Sequence, residues 1–448
     1  MTIIQTSPNN LPEKKYIFDV VFDEFLGVNY KLEITQNTYE YVIKLMNNKK
    51  IFIKDIFWNK CKEDLEYLSE RYLPSKVVFF KNEFTFEPDI PILYGNPVIQ
   101  KVQDGIECDI DIFATIFFYL TRWEEYISND KDKFGRFKLT SSFSYKNNLV
   151  QRPIVNEYIE MLWRMLFSLD ENLKRKIRKY KPVITHDVDK PIRLWNFNAF
   201  KDSFSRNLIK ARDYRHAVRD CYIYPLNKIT KKFDVGNSYD FLMSASESIG
   251  VKAHFFFKNS PKTKYDEGYS INSPFLKQTF QKIKSRNHII GIHPSYYSFE
   301  NTESWKKEYD DFCSYMGEKI YYGRQHYLRF NVPSTWQLWD ENDLKTDFTL
   351  GFPEMEGFRC GICYEYSVYN FITRKKLKLK ESPLILMEVS LSEYQKIINA
   401  EEFIKKVKDV VSIVKKYDGD FVFLWHNSVF NNVLFTRKFY ERLIQIIN

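Results

Sequence analysis

The rhythm of hydrophobic and polar positions changes partway along the chain. In the first part, short alternating runs such as YIFDVVFDEF (16–25) and YKLEITQ (30–36) carry the period of half-buried strands. IFATIFFYLTRWEEYI (112–127) and NEYIEMLWRMLFSL (156–169) carry helical spacing instead. ENLKRKIRKYK (171–181) is charged and poor in strong apolar positions, and a boundary is placed there. The expected division is an N-terminal mixed α/β domain at 1–178 and a second domain at 179–448.

The second part has short apolar runs that each end in polar residues. PVIT runs into HDVD, AHFFF into KNS, HIIGI into HPS, DFTLGF into PEMEGFR, LILM into EVS and FVFLW into HNS. Helix-like stretches lie between them, among them NSYDFLMSASESIG, PFLKQTFQKIKSR and AEEFIKKVKDVVSIVKKY. Strand, helix, strand at this spacing predicts βα units with parallel strands. Polar residues gathered just past strand ends are what a (β/α) barrel sets at its active face. Six runs fall short of eight repeats, so the expected fold is α/β with a distorted or incomplete (β/α) barrel. An open doubly wound sheet is the alternative.

Composition narrows the function classes. The 448 residues are 44% hydrophobic and 28% charged, as in a globular protein. The net charge of +9 comes from scattered residues without a basic tail, which argues against nucleic-acid binding. Aromatics reach 17%, enough to fill cores and also to line sugar sites. Six cysteines, of which only Cys360 and Cys363 are closely spaced, do not make a secreted disulfide framework. The start, MTIIQTSPNN, lacks the blocks of a signal peptide, and runs such as IFATIFFYL are too short to span a bilayer. A soluble, cytoplasmic protein is expected; the oligomeric state is not encoded in any visible pattern.

Candidate chemistry lies in the second part, since all seven histidines fall at or after His186. In KPVITHDVDK (181–190), strand alternation points Thr185, Asp187 and Asp189 one way and His186 and Val188 the other. Asp is also common at caps and turns, so the pair alone decides little. His293 and His426 follow predicted strands in the same manner, and Asp with His is a common ligand set for Zn²⁺ and related ions. His254 reads as a core residue, and His288 and His216 as surface or helix residues. Cys360 and Cys363 lack a second pair for zinc and read as loop packing or part of a site rim.

Taken together, residues 180–448 resemble the polysaccharide deacetylases of the NodB-homology group, metal-dependent esterases of N-acetyl sugars. THDVD (185–189) resembles their first motif, T-F-D-D-G, and GIHPSYYS (291–298) the second, H-S/T-x-x-H. RQHYLRFNVP (324–333) stands where an Arg/Pro motif is expected, and FLWHN (423–427) resembles the last motif. FFYLTRWEEY and RPIVNEYIEMLW look like the N-terminal region of a two-domain bacterial subgroup. The resemblance implies Asp187 as general base, Asp189 and His293 as metal ligands, His426 as general acid, and a divalent ion, most simply Zn²⁺. It implies a carbohydrate substrate, either a polysaccharide or a nucleotide- or lipid-linked precursor. Tyr297 replaces the second motif's later His, and phenols ligate zinc poorly at neutral pH. His326 is the candidate third ligand. Glu388 is a candidate orienter of His426, and Arg329, or failing it Arg324, a candidate partner for Asp187. An amidohydrolase with a non-sugar substrate, and a non-catalytic carbohydrate-binding or scaffold protein, are the rival readings.

Overall fold

The computed structural model describes every residue except 37, 38, 211 and 431–433. A six-stranded mixed sheet is built from β1 (Thr2–Thr6), β2 (Tyr30–Ile34), β3 (Glu40–Lys44), β4 (Lys50–Lys54), β7 (Gly95–Val102) and β8 (Gly105–Ile110), in the order β2-β1-β3-β4-β8-β7. Two further strands, β5 (Val78–Phe80) and β6 (Ile90–Ile92), pair only with each other.

YIFDVVFDEF is not a strand. It lies in a helix, Leu11–Phe18, that continues in π-helical turns over Asp19–Leu26. The polar positions Lys15, Asp19 and Asp23 recur every four residues and make one outer stripe. Lys15 and Asp19 pair along it at 2.9 Å. Between them Phe18, Val21, Phe22 and Phe25 are buried. The short alternation suggested a strand, but the four-residue polar spacing fits the helix.

The second sheet has nine strands: β9 (Lys181–Val188), β10 (His254–Phe257), β11 (Ile289–Ile292), β12 (Tyr322–Gly323), β13 (Thr346–Asp347), β14 (Tyr366–Asn370), β15 (Lys375–Glu381), β16 (Leu386–Met387) and β17 (Asp420–Leu424). Their order is β14-β15-β13-β12-β11-β10-β9-β17-β16. All neighbours are parallel except the β14–β15 edge pair. The eight parallel strands follow the sequence of a (β/α) barrel, β17 returning to β9, but the sheet is open between β15 and β16. A closed barrel is therefore not formed.

Alternation along these strands sorts apolar residues into two clusters. Val183, Phe256, Val422 and Leu424 join a small cluster on the face that carries Asp187. Ile184, Val188, Phe255, Phe257, Phe421 and Phe423 belong to the large core that packs the helices. That core is continuous with the first sheet and runs from Ile4 to Ile447.

The helix Ile112–Thr121 lies in this shared core, and all ten of its residues are buried. A helix apolar on every side needs protein on every side. Tyr366 supplies some of it, donating its hydroxyl to the Leu120 carbonyl at 3.0 Å. The Cys360–Cys363 loop supplies more: Gly361 has φ +62°, and a Cβ there would meet the Tyr119 ring at 2.6 Å. Both thiols are buried and pushed up, Cys360 to about 12 and Cys363 further. They pack and stay protonated.

Beside this helix, Glu125 receives a buried fork from Arg359, Nε at 2.9 Å and Nη2 at 2.5 Å, and a further bond from Arg122 at 2.8 Å. The pair joins residues 234 positions apart. Removing Arg359 leaves Glu125 only its bond from Arg122, so Arg359→Met is expected to lower stability by about 1.5–3 kcal/mol. Urea unfolding of the full chain reads it; a midpoint equal to wild type would show that the fork contributes nothing.

Candidate active site

The carboxyl ends of the parallel strands meet at one cleft of about 940 Å³. β9 ends in Asp187 and Asp189, β10 in Lys258, β11 in His293, β12 in Arg324 and His326, β16 in Glu388 and β17 in His426. One strand direction thus brings together side chains scattered over 240 positions of sequence.

Asp187 is buried and bonded through Oδ1 to Arg324 Nη1 at 2.8 Å. Burial opposes its charge, but Arg324, with His293 and His426, outweighs it and holds the carboxyl below its ordinary range. Arg324 is fully buried and also donates Nε to the Phe348 carbonyl at 2.8 Å. Arg329 does not reach Asp187. Its guanidinium bonds the Tyr296 carbonyl at 2.6 Å and pairs with Glu300. The expected partner is therefore corrected to Arg324, because only that residue sits directly at the end of β12.

Asp189, His293 and His326 offer ligand atoms that all lie within 4.8 Å of one another. Asp189 Oδ1 is 3.4 Å from His293 Nε2 and 3.2 Å from His326 Nε2. Ligands about 2.0–2.1 Å from a tetrahedral Zn²⁺ stand roughly 3.3–3.4 Å apart. Asp189 Oδ1 is buried and is met by these two imidazoles and by one ammonium, that of Lys258 at 3.0 Å. His293 donates Nδ1 to the Arg324 carbonyl at 2.7 Å, which leaves Nε2 unprotonated toward Asp189. His326 Nδ1 lies 2.8 Å from Asp266 Oδ1, close enough for that carboxylate to attract the imidazole. A buried carboxylate oxygen between two imidazoles, at the spacing of tetrahedral ligands, fits a divalent ion. Tyr297 is turned outward, about half exposed, and takes no part.

His426 stands across the cleft, its Nε2 3.7 Å from Asp189 Oδ2. Fully buried Glu388 accepts both its backbone N–H at 2.9 Å and its Nδ1–H at 2.6 Å. Burial would lower the imidazole; Glu388 and the two Asp residues outweigh it and raise His426 to about 10. His186 points to the other face, with Nδ1 on the Trp425 carbonyl, and burial drops it to about 3. His288 is not a surface residue: it is buried and accepts the Ala253 N–H at 2.9 Å.

Sequence reasoning passed over two residues here. Lys258, 1% exposed, places Nζ 3.0 Å from Asp189 Oδ1 and 3.1 Å from His326 Nε2. Asp266 lies in a loop with no pattern to mark it. Lys258 ends an apolar run as His293 does, so the strand-end rule could have found it.

The cleft has an aromatic wall from both parts of the chain. Phe134 packs on Tyr327 at 4.9 Å between centroids, and Tyr265 on Tyr296 at 4.1 Å. Arg136 ties the Phe134 segment down through the Tyr327 carbonyl at 3.1 Å and the Tyr394 hydroxyl at 3.2 Å.

Behind Arg324, burial raises Asp347 to about 7, and burial and Asp347 push Glu381 well above the carboxylate range. An acid raised by folding stabilises fully below its unfolded value near about 4, and that contribution is lost as pH rises through the folded value. The share of stability that these two acids contribute is expected to fall as pH rises from about 4 through 7. Asp347→Asn removes this share, so its Tm is expected to vary less with pH over that window than wild type; equal slopes would refute the assignment.

Residues 2–171 match the model of a family of unknown function, DUF7033. No curated protein matches the chain. Among solved structures, a "putative polysaccharide deacetylase" from Mycobacterium smegmatis is 14% identical over 60% of this chain and 84% of that one, with a TM-score of 0.38. A second so described, involved in O-antigen biosynthesis in Bordetella bronchiseptica, is 14% identical over 60% and 85%, with a TM-score of 0.31. Overlap that low leaves the site's own residues to speak for its chemistry.

Proposed function

We propose that the protein is a metal-dependent hydrolase that removes an N-acetyl group from a carbohydrate. The observation that carries this is the convergence of Asp187 held by Arg324, the Asp189–His293–His326 set and His426 held by Glu388 on one cleft. A divalent ion held by Asp189, His293 and His326 would supply Lewis-acid polarisation of the amide carbonyl and a more acidic water.

The chain's own groups do the rest. Arg324 occupies Asp187 Oδ1, so Oδ2 is left to take a proton from the attacking water. Arg324 also keeps Asp187 ionised, at some cost in basicity. Glu388 holds the Nδ1 proton of His426, so Nε2–H points into the cleft toward the departing amine. An amine leaves poorly without that proton, and an imidazole raised to about 10 keeps it throughout the neutral range. The products are acetate and a free amino group. Phe134, Tyr265 and Tyr327 offer flat apolar surfaces with polar rims, which suit a sugar ring better than an extended apolar chain.

Incubation with N-acetylglucosamine oligomers and with a nucleotide-linked N-acetyl sugar, followed by acetate assay, tests the reading. His426→Ala is expected to lower kcat by roughly 10²–10⁴ while zinc content stays at the wild-type level. Release of a different acid would move the substrate to another amide. Full activity in His426→Ala would remove it from the chemistry.

A further inference from the structure

Lys258 is positioned with care for a residue the reaction does not use. It follows Phe257 at the end of β10, and its backbone N–H donates to the Tyr269 hydroxyl at 2.8 Å. Tyr269 in turn donates to the Val188 carbonyl at 2.5 Å, one residue before Asp189. The main chain of Lys258 is thereby pinned beside the end of β9. Its side chain is 1% exposed and lines the floor of the cleft. The ammonium contacts Asp189 Oδ1 and His326 Nε2, two of the three atoms a divalent ion would need.

Both cations cannot use those atoms at once. An ammonium about 3 Å from a ligand oxygen stands within roughly 2–4 Å of an ion on that oxygen, where repulsion in a poorly solvated site amounts to several kcal/mol. A second carboxylate is at hand: Asp266 Oδ1 is 3.7 Å from the same Nζ. Without an ion, Lys258 neutralises Asp189 and lets the buried cluster exist.

We propose that Lys258 is a built-in occupant of the cation position, which a divalent ion must displace toward Asp266, so that the centre holds its metal weakly and exchangeably. The proposal rests on the reading of Asp189, His293 and His326 as ligands. Lys258→Met keeps the length of the side chain and removes its charge. Zn²⁺ titration of the full chain against a chromophoric chelator is expected to give at least about tenfold tighter binding for the variant than for wild type. Zn²⁺ is also expected to raise the Tm of the variant more than that of wild type. Equal or weaker binding by a folded Lys258→Met overturns the proposal and leaves the metal reading standing. Failure of both proteins to bind Zn²⁺ overturns the metal reading itself. Should the variant not fold, wild-type crystals grown with Zn²⁺ decide: an ion on Asp189, His293 and His326 with Nζ moved to Asp266 supports the proposal, and Nζ still on Asp189 Oδ1 beside that ion overturns it.

Discussion

One side of the cleft is organised around a single residue, Arg324. Arg324 joins three strand ends: its Nη1 holds Asp187 on β9, its carbonyl receives the His293 Nδ1–H from the end of β11, and its Nε bonds the Phe348 carbonyl just past β13. It is fully buried, so those bonds replace its hydration and act in a poorly screened environment. A single residue thus sets the charge of the proposed base and the tautomer of a proposed ligand. The two are coupled by construction, not by proximity alone.

What the sequence made legible was the rule of strand ends, and what it hid followed from exceptions to local pattern. Six apolar runs ending in polar residues located Asp187, His293, Glu388 and His426 on one sheet edge. β12 escaped because two residues, Tyr322 and Gly323, are too few to show a period. β15 shows a period, with lysines outward and Leu377 and Leu379 inward, but its lysine content reads as a solvated face. Arg324 and Arg329 lie five residues apart in one motif, and spacing cannot choose between them; contact with the end of β11 does. Lys258 followed the rule and was missed because an ammonium is not a metal ligand.

The first part of the chain was the least legible. Its strand YKLEITQ and the helical stretch 156–169 follow simple periods, whereas the stretch 11–26 mixes β-branched residues with a helical polar stripe. The fully buried helix Ile112–Thr121 explains why this part cannot be read alone. Its outer face is completed by Tyr366 and Gly361 from the other half of the sequence. An apolar helix without an amphipathic stripe gives no hint of which surface will cover it.

The wall built by Phe134 and Arg136 has a consequence for how such a chain can change. The proton-handling side chains all come from residues after 181, while part of the surface that a ligand would meet first comes from before 140. The chemistry is therefore written in one stretch of sequence, while the wall of the cleft is shared between two. Substitutions near Phe134 can reshape what enters without disturbing a single strand end.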